Sequence, residues 1–149
     1  MAVLSPNLEV PMGRVDTTLT VVNIIDQERA EAGELDASAV RSVTLDGVLV
    51  DTGATYLSLP ADLLAPLGLR FPRDLTIGTA AGRQRARLFG NAQLTVMGRL
   101  ATVDVLELPV GTRPLLGVIP LEALGAEPDL VARRLRLLPD GPTDTYVTA

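Results

Sequence analysis

The residues best suited to chemistry lie in one short stretch, Asp51-Thr52-Gly53-Ala54. It directly follows an apolar Val-Leu-Val run at residues 48–50, which predicts a strand buried on both faces. A carboxylate at the end of such a strand costs free energy unless it is hydrogen-bonded or neutralised. Gly53 permits a tight turn whose amides can hydrogen-bond the carboxylate. We therefore interpret Asp51 as a candidate catalytic acid, with an ordinary Asp-Thr-Gly turn as the alternative.

Composition narrows the chemistry to carboxylates. The chain has no Cys and no His, which excludes cysteine nucleophiles, thiolate metal sites and the serine and cysteine triads. The acids other than Asp51 are scattered, and none is at the spacing of a calcium loop. We therefore expect no metal and no cofactor.

Charge and hydropathy narrow the possible partners. A net charge of -5 argues against a nucleic-acid partner, because the phosphate backbone would be repelled. No stretch reaches the ~20 apolar residues that span a bilayer, and the N-terminus does not resemble a signal peptide. We expect a cytoplasmic protein that has no contact with a membrane.

Periodicity and turn signals predict a mostly antiparallel β domain, closed or semi-closed as a barrel. Aromatic residues make up 3% of the chain, so the core must be aliphatic. We expect strands over residues 15–25, 41–50, 91–97, 100–108 and 134–138, with a turn or bulge at Asp46-Gly47 and a hairpin over residues 77–88. Short helices are expected over residues 61–68, with Leu63, Leu64 and Leu67 facing inward, and over residues 121–124, with Pro120 at the first helical position.

The 149 residues suit one domain. We expect an N-terminal arm at residues 1–13, the folded domain at 14–138 and a polar tail at 139–149. Within the domain, residues 30–39 belong to an acidic stretch beginning at Asp26, which is too poor in apolar residues to fold on itself and is expected to be a flexible loop.

The order of these features resembles the retroviral-type (retropepsin-like) aspartic protease family, and most closely its non-viral bacterial and archaeal members. The family has a buried strand into Asp-Thr-Gly-Ala, then a flap hairpin, then two apolar residues and a Gly that opens a short helix. Here the corresponding features are Asp51-Thr52-Gly53-Ala54, the hairpin at residues 77–88, and Leu115-Leu116-Gly117 before Pro120. The resemblance covers about residues 14–138.

The resemblance implies an aspartic endopeptidase in which two carboxylates share a proton and activate water. Since the chain has one Asp-Thr-Gly, it implies a homodimer that pairs Asp51 with its copy. Thr52 would hold the two loops in register and Gly53 would contact a polypeptide substrate, with Ala54 completing the loop. The implied flap is Ile77, Gly78, Thr79, Ala80, Ala81 and Gly82, and the implied groove wall is Leu49, Leu116, Gly117 and Ile119.

Two positions depart from the viral pattern together. Viral members place an Asp after Asp-Thr-Gly-Ala and an Arg after the later Gly, whereas this chain has Thr55 and Val118. Because both charges are missing, neither is left unpaired.

Alternatives remain for the function and for two of its parts. The alternative to a protease is a non-catalytic dimerisation or peptide-binding module that retains the fold. The hairpin has a plain surface hairpin as its alternative. For Arg83, Arg85 and Arg87, which share one strand face, a solvated face is favoured over contact with an acidic substrate.

Overall fold

A computed structural model describes residues 14–139, which form one mostly β domain. The expectations for residues 1–13 and for residues 140–149 lie outside the described part of the chain. The strands are β1 (Asp16–Asn23), β2 (Ser42–Val50), β3 (Leu57–Pro60), β4 (Arg70–Thr79), β5 (Gly82–Val96), β6 (Arg99–Leu108), β7 (Leu115–Leu116), β8 (Ala126–Asp129) and β9 (Arg134–Leu137). The α-helices are α1 (Ile24–Glu31), α2 (Ala61–Leu64) and α3 (Val118–Leu124), and short 3-10 helices cover Ala37–Ala39 and Ala65–Leu67.

Six strands are hydrogen-bonded in a ring. Their order is β1, β2, β7, β3, β6 and β5, and β5 pairs back onto β1 to close it. Strand β4 pairs with β5 outside this ring, and β8 and β9 form a separate two-stranded sheet. The prediction of a mostly β domain is therefore confirmed, with all strand pairs antiparallel except β2 with β7 and β3 with β6.

The core enclosed by the ring is aliphatic, as composition predicts. Leu19, Leu57, Leu94, Val105 and Leu116 are all essentially inaccessible to solvent and belong to one cluster. Burying each such side chain contributes roughly 1.5–3 kcal/mol. The core therefore holds β2, β3 and β7 in place, and these strands flank Asp51.

Strand β2 carries the expected bulge. Between the pairs Thr17 with Val48 and Leu19 with Leu45, β2 has one more residue than β1, and Gly47 takes a left-handed φ of 64°. Arg113 donates to the carbonyl oxygen of Gly47 at 2.9 Å. The bulge is thus held from the loop before β7, just upstream of the run into Asp51.

The first strand is shorter than predicted, and a helix replaces part of the predicted loop. Ile24 and Ile25 begin α1 rather than continuing β1, because the side chain of Asn23 caps the helix by accepting from the amide of Asp26 at 3.1 Å. The prediction for residues 24–31 was wrong. Within the stretch expected to be a loop, Ala30 and Glu31 close α1 and residues 37–39 form a 3-10 turn.

The helix near Pro66 ends as predicted. After Leu64 the chain tightens into the 3-10 turn, and Gly68 closes it at a φ of 58°. Leu64 and Leu67 are buried, whereas Leu63 is half-buried.

Helix α3 begins earlier than predicted. It starts at Val118, two residues before Pro120, so proline is its third residue and not its first. The first three amides of a helix have no acceptor within it, which is why proline is tolerated there. The closing Gly125 is confirmed.

Two further strand predictions need correction. Residues 82–96 form one strand, β5, bent by a bulge at Gly90-Asn91, where two separate strands are predicted. Strand β8 was not predicted, and it pairs with β9 as a hairpin. None of the helices within residues 14–139 is long and apolar enough to cross a membrane.

Candidate active site

Asp51 lies in the loop that leaves β2 and enters β3. Strand β7 lies between these two strands, parallel to β2 and antiparallel to β3. The amide of Asp51 donates to the carbonyl oxygen of Leu116 in β7 at 3.0 Å. The backbone of the candidate acid is therefore fixed to the centre of the sheet.

The turn at Asp51-Thr52-Gly53 holds the carboxylate. The amide of Gly53 donates to Oδ1 of Asp51 at 2.9 Å, and the amide of Ala54 donates to the carbonyl oxygen of Asp51 at 3.0 Å. The prediction that a turn amide hydrogen-bonds the carboxylate is confirmed. Asp51 is half-buried rather than buried in the single chain, and Thr52 and Gly53 are exposed. The second carboxylate oxygen, Oδ2, accepts no hydrogen bond from residues 14–139.

The second half of the loop is tied to the start of α3 by three backbone hydrogen bonds. Gly117 donates to Tyr56 at 3.1 Å, Val118 to Ala54 at 2.8 Å and Ile119 to Thr55 at 3.0 Å, in each case to the carbonyl oxygen. Thr55 and Val118 each make one of these hydrogen bonds. At these two positions the backbone supplies the connection.

Gly117 is required by this close approach. A Cβ at Gly117 would lie 2.6 Å from the carbonyl oxygen of Tyr56 and 2.7 Å from that of Ala54. Both obstructing atoms belong to the backbone, so they cannot move aside without shifting the loop. The glycine of the Leu-Leu-Gly motif thus positions the loop and offers no side chain to a groove.

The predicted hairpin is present, with Ala80 and Ala81 as its two-residue tip. Thr79 pairs with Gly82, and the Thr79 hydroxyl accepts from the amide of Ala81 at 3.2 Å and donates to the carbonyl oxygen of Gly82 at 2.8 Å. Gly78, Thr79 and the tip are exposed and Ile77 is half-buried. The tip is small and accessible, which suits either a flap or a plain surface hairpin.

The proposed groove wall is only partly accessible. Leu116 is 0% exposed, and its side chain packs in the core rather than lining a surface of the single chain. Leu49 is half-buried and Ile119 is 46% exposed.

Two surface cavities lie away from the Asp51 carboxylate. Each has a volume of about 330 Å³, and Asp51 lines neither. The first lies at the base of the hairpin and is lined by Ala61, Asp74, Arg85, Ala86, Arg87, Glu107, Leu108 and Pro109. The half-buried Asp51 therefore lies outside both of these cavities.

One chain supplies one acid at this site. In the part of the chain that the structure describes, no ion pair involves Asp51, and no three acidic side chains come together in an arrangement suited to a metal. A lone carboxylate can accept a proton but cannot both activate water and protonate a carbonyl oxygen. One chain therefore supplies a single carboxylate at this site.

A second acid, Asp26, is 4% exposed and was not predicted from the sequence as a site residue. Its carboxylate accepts from Nε of Arg41 at 2.7 Å, from Nη2 at 3.0 Å and from the Arg41 amide at 3.0 Å. These hydrogen bonds hold the pKa of Asp26 at about 2, below its usual 3.8. Asp26 is anchored near the start of β2, whereas Asp51 follows the end of that strand, so we assign it a structural role. The only signal in the sequence was an acid directly after Ile24-Ile25.

Comparison with protein-family models gives no match, and comparison with curated proteins gives no significant match.

Proposed function

We propose that this protein is a retropepsin-like aspartic endopeptidase that acts as a homodimer, with Asp51 of each subunit forming the catalytic dyad. The observation that carries the proposal is the Asp51 loop itself. It holds the carboxylate against the amide of Gly53 at 2.9 Å, between two strands of the core, while leaving the loop accessible. A carboxylate that is held in place and accessible in this way suits catalysis better than the carboxylate of a fully solvated turn does.

The order of the elements supports the same assignment. A strand that ends with the buried Val48 and Val50 leads into Asp51, a hairpin with a small tip follows, and the apolar pair of β7 precedes a glycine and a short helix. The ring of strands is compatible with the barrel of this protease family, and we include that fold in the proposal. The chain's lack of His and Cys leaves carboxylate chemistry as the route to peptide hydrolysis.

The mechanism requires two carboxylates about 3 Å apart that share one proton. The ionised carboxylate takes a proton from water, the water oxygen attacks the scissile carbonyl carbon, and the protonated carboxyl group gives its proton to the carbonyl oxygen. Collapse of the tetrahedral intermediate breaks the C–N bond: the leaving nitrogen takes the proton of the protonated carboxyl group, and the ionised carboxylate accepts a hydroxyl proton from the intermediate, which restores the single shared proton of the dyad. No cofactor enters these steps.

The test is hydrolysis of an unfolded polypeptide such as casein over a range of protein concentrations and pH values. Activity should rise faster than linearly at low concentration, because only the dimer holds both carboxylates. Asp51→Asn should lower the rate about 10²- to 10⁴-fold. Asp62→Asn, at an exposed position in the first turn of α2, is the matched control and should retain activity.

Mixing wild-type and Asp51→Asn subunits provides a second test of the dimer. If subunits exchange freely, an equal mixture of wild type and Asp51→Asn contains about a quarter wild-type dimers, so the activity per total dimer should fall to about a quarter. An Asp51→Asn variant that cleaves as well as wild type would exclude this mechanism. Peptide binding without cleavage by any variant would instead support the non-catalytic module.

A further inference from the structure

The hairpin formed by β4 and the first part of β5 has a charge opposite to that of the rest of the chain. Residues 70–87, here called the cationic hairpin, contain five of the 13 basic residues but one of the 18 acidic residues. Their net charge is +4, so the rest of the chain, whose total is -5, carries -9. The basic residues are Arg70, Arg73, Arg83, Arg85 and Arg87, and the acid is Asp74.

Part of this charge is already paired within the chain. Arg87 makes a bidentate ion pair with Glu107 at 2.9 Å, and Arg85 pairs with Asp74 at 3.0 Å. Arg73 lies 4.0 Å from Asp104, at the limit of an ion pair. For Arg85 and Arg87, internal pairing therefore explains why arginine is present.

Two arginines lack such an explanation. Arg70 and Arg83 are exposed, and neither makes an ion pair with any residue among 14–139. Arg70 begins β4 and Arg83 is the second residue of β5, so these cations lie towards opposite ends of the hairpin. Their charges are available to a ligand.

The cationic hairpin also offers a backbone edge. Strand β4 is last in the sheet order, so its outer edge pairs with no other strand of the described chain. The bulge at Phe71-Pro72 interrupts the edge near its start, and regular pairing with β5 runs from Arg73 to Thr79. An extended polypeptide can add to such an edge through main-chain hydrogen bonds, with neighbouring side chains selecting its sequence.

We infer that the cationic hairpin binds acidic segments of polypeptides, with Arg70 and Arg83 as the residues that determine this preference. As a statement about substrates, the inference rests on the proposed protease function: the favoured substrates carry Asp or Glu near the cleaved bond. A short acidic peptide fits better than nucleic acid, because a long polyanion would extend beyond the cationic hairpin and the rest of the chain has a net charge of -9.

Binding is tested without cleavage, using the Asp51→Asn protein and fluorescence anisotropy. The probes are a labelled Glu-rich peptide and its matched copy with Gln at every Glu position. At about 0.01 M salt the acidic peptide should bind about tenfold more tightly, and the difference should disappear near 1 M, where the Debye length falls to about 3 Å. The double variant Arg70→Gln/Arg83→Gln should lose the preference.

The matched control is Arg133→Gln/Arg134→Gln, which changes the net charge equally at exposed positions in the β8–β9 hairpin. The control should keep the preference. Equal binding of both peptides, or an equal loss in both double variants, would overturn the inference. Displacement of the acidic peptide by single-stranded DNA at lower concentration than by unlabelled peptide would also overturn it, in favour of a nucleic-acid surface.

Cleavage assays distinguish a failure of this inference from a failure of the proposed protease function. With wild-type protein and the same acidic and neutral sequences in an unfolded substrate, kcat/KM should be about tenfold higher for the acidic one at low salt. If neither substrate is cleaved but the acidic peptide binds, the protease proposal fails and the acidic-peptide site stands. If both are cleaved equally and neither peptide is preferred, the protease proposal stands and this inference fails.

Discussion

The carbonyl oxygen of Ala54 lies where a side chain on Gly117 would have to begin, 2.7 Å from an ideal Cβ. The same Ala54 oxygen accepts the amide of Val118 at 2.8 Å. The loop that carries Asp51 and the first turn of α3 are therefore in direct backbone contact. A substitution that separates the loop from the first turn of α3 should therefore displace Asp51.

Gly117→Ala should disrupt this contact. Because the added methyl group meets backbone rather than a flexible side chain, we expect a loss of about 2–4 kcal/mol in the free energy of unfolding, measured by chemical denaturation. Gly78→Ala is the control for stability, since a Cβ at Gly78 has no atom within 4 Å and its φ is not left-handed. Equal effects in the two variants would show that the close approach is not a constraint.

Arg41 should contribute far more to stability than Arg85 does. Arg41→Ala leaves the carboxylate of Asp26, which is 4% exposed, without its ion pair, and we expect a loss of about 2–3 kcal/mol. Arg85→Ala breaks an exposed ion pair with Asp74 and should cost at most about 1 kcal/mol. Urea denaturation at neutral pH measures both. Comparable losses would contradict a structural role for the Asp26 pair.

Lowering the pH should reduce the free energy of unfolding through protonation of Asp26. Its folded pKa of about 2 is below the usual 3.8, so its stabilising contribution is complete above about pH 4 and is lost as the pH falls towards 2. Denaturation curves between pH 5 and pH 2 should therefore have a steeper pH dependence for wild type than for Asp26→Asn or Arg41→Gln. Parallel pH profiles for all three proteins would contradict this linkage.

The strands were more predictable than their boundaries and connections. Alternation and β-branched residues identify β2, β6 and the hairpin, because a half-buried strand imposes a period of two. The same signal extends β1 wrongly through Ile24 and Ile25, where the Asn23 cap and the buried Asp26–Arg41 pair favour a helix. The two residues of that ion pair are 15 positions apart in the sequence. A pattern confined to a few neighbouring residues therefore cannot predict it.

At the site, local chemistry could be predicted but solvent exposure could not. The Gly53 hydrogen bond to Asp51 follows from a three-residue turn, whereas the burial of Leu116 depends on β7 being inserted between β2 and β3. The steric need for Gly117 likewise arises from residues about 60 positions earlier in the chain. Only the assembled sheet shows these relationships.

Replacing Phe71 should stabilise the protein. Phe71 is 72% exposed and has a φ of 58°, a left-handed conformation that bulky side chains disfavour. Asn tolerates this conformation, and the chain already uses it at Asn91, where φ is 63°. We expect Phe71→Asn to raise the free energy of unfolding by about 0.5–1 kcal/mol. Thr76→Asn, in the regular part of β4, is the control and should lower it.

Thr52→Ala should weaken the proposed dimer without affecting the folded subunit. Thr52 is exposed, and its hydroxyl makes no hydrogen bond with any of residues 14–139, so the subunit loses little. If the two Thr52 hydroxyls hold the paired loops in register, their loss should raise the dimer dissociation constant about tenfold. Sedimentation velocity measures the constant, and the protein concentration at half-maximal proteolysis should rise in parallel.

Thr102→Ala, an exposed substitution on β6, is the control for Thr52→Ala and should leave the dimer unchanged. A parallel change in both variants would show that the Asp51 loops do not meet across the interface. If Thr52→Ala dimerises normally but loses activity even at high concentration, the hydroxyl acts within the site rather than between subunits. The comparison therefore distinguishes assembly of the dyad from its chemistry.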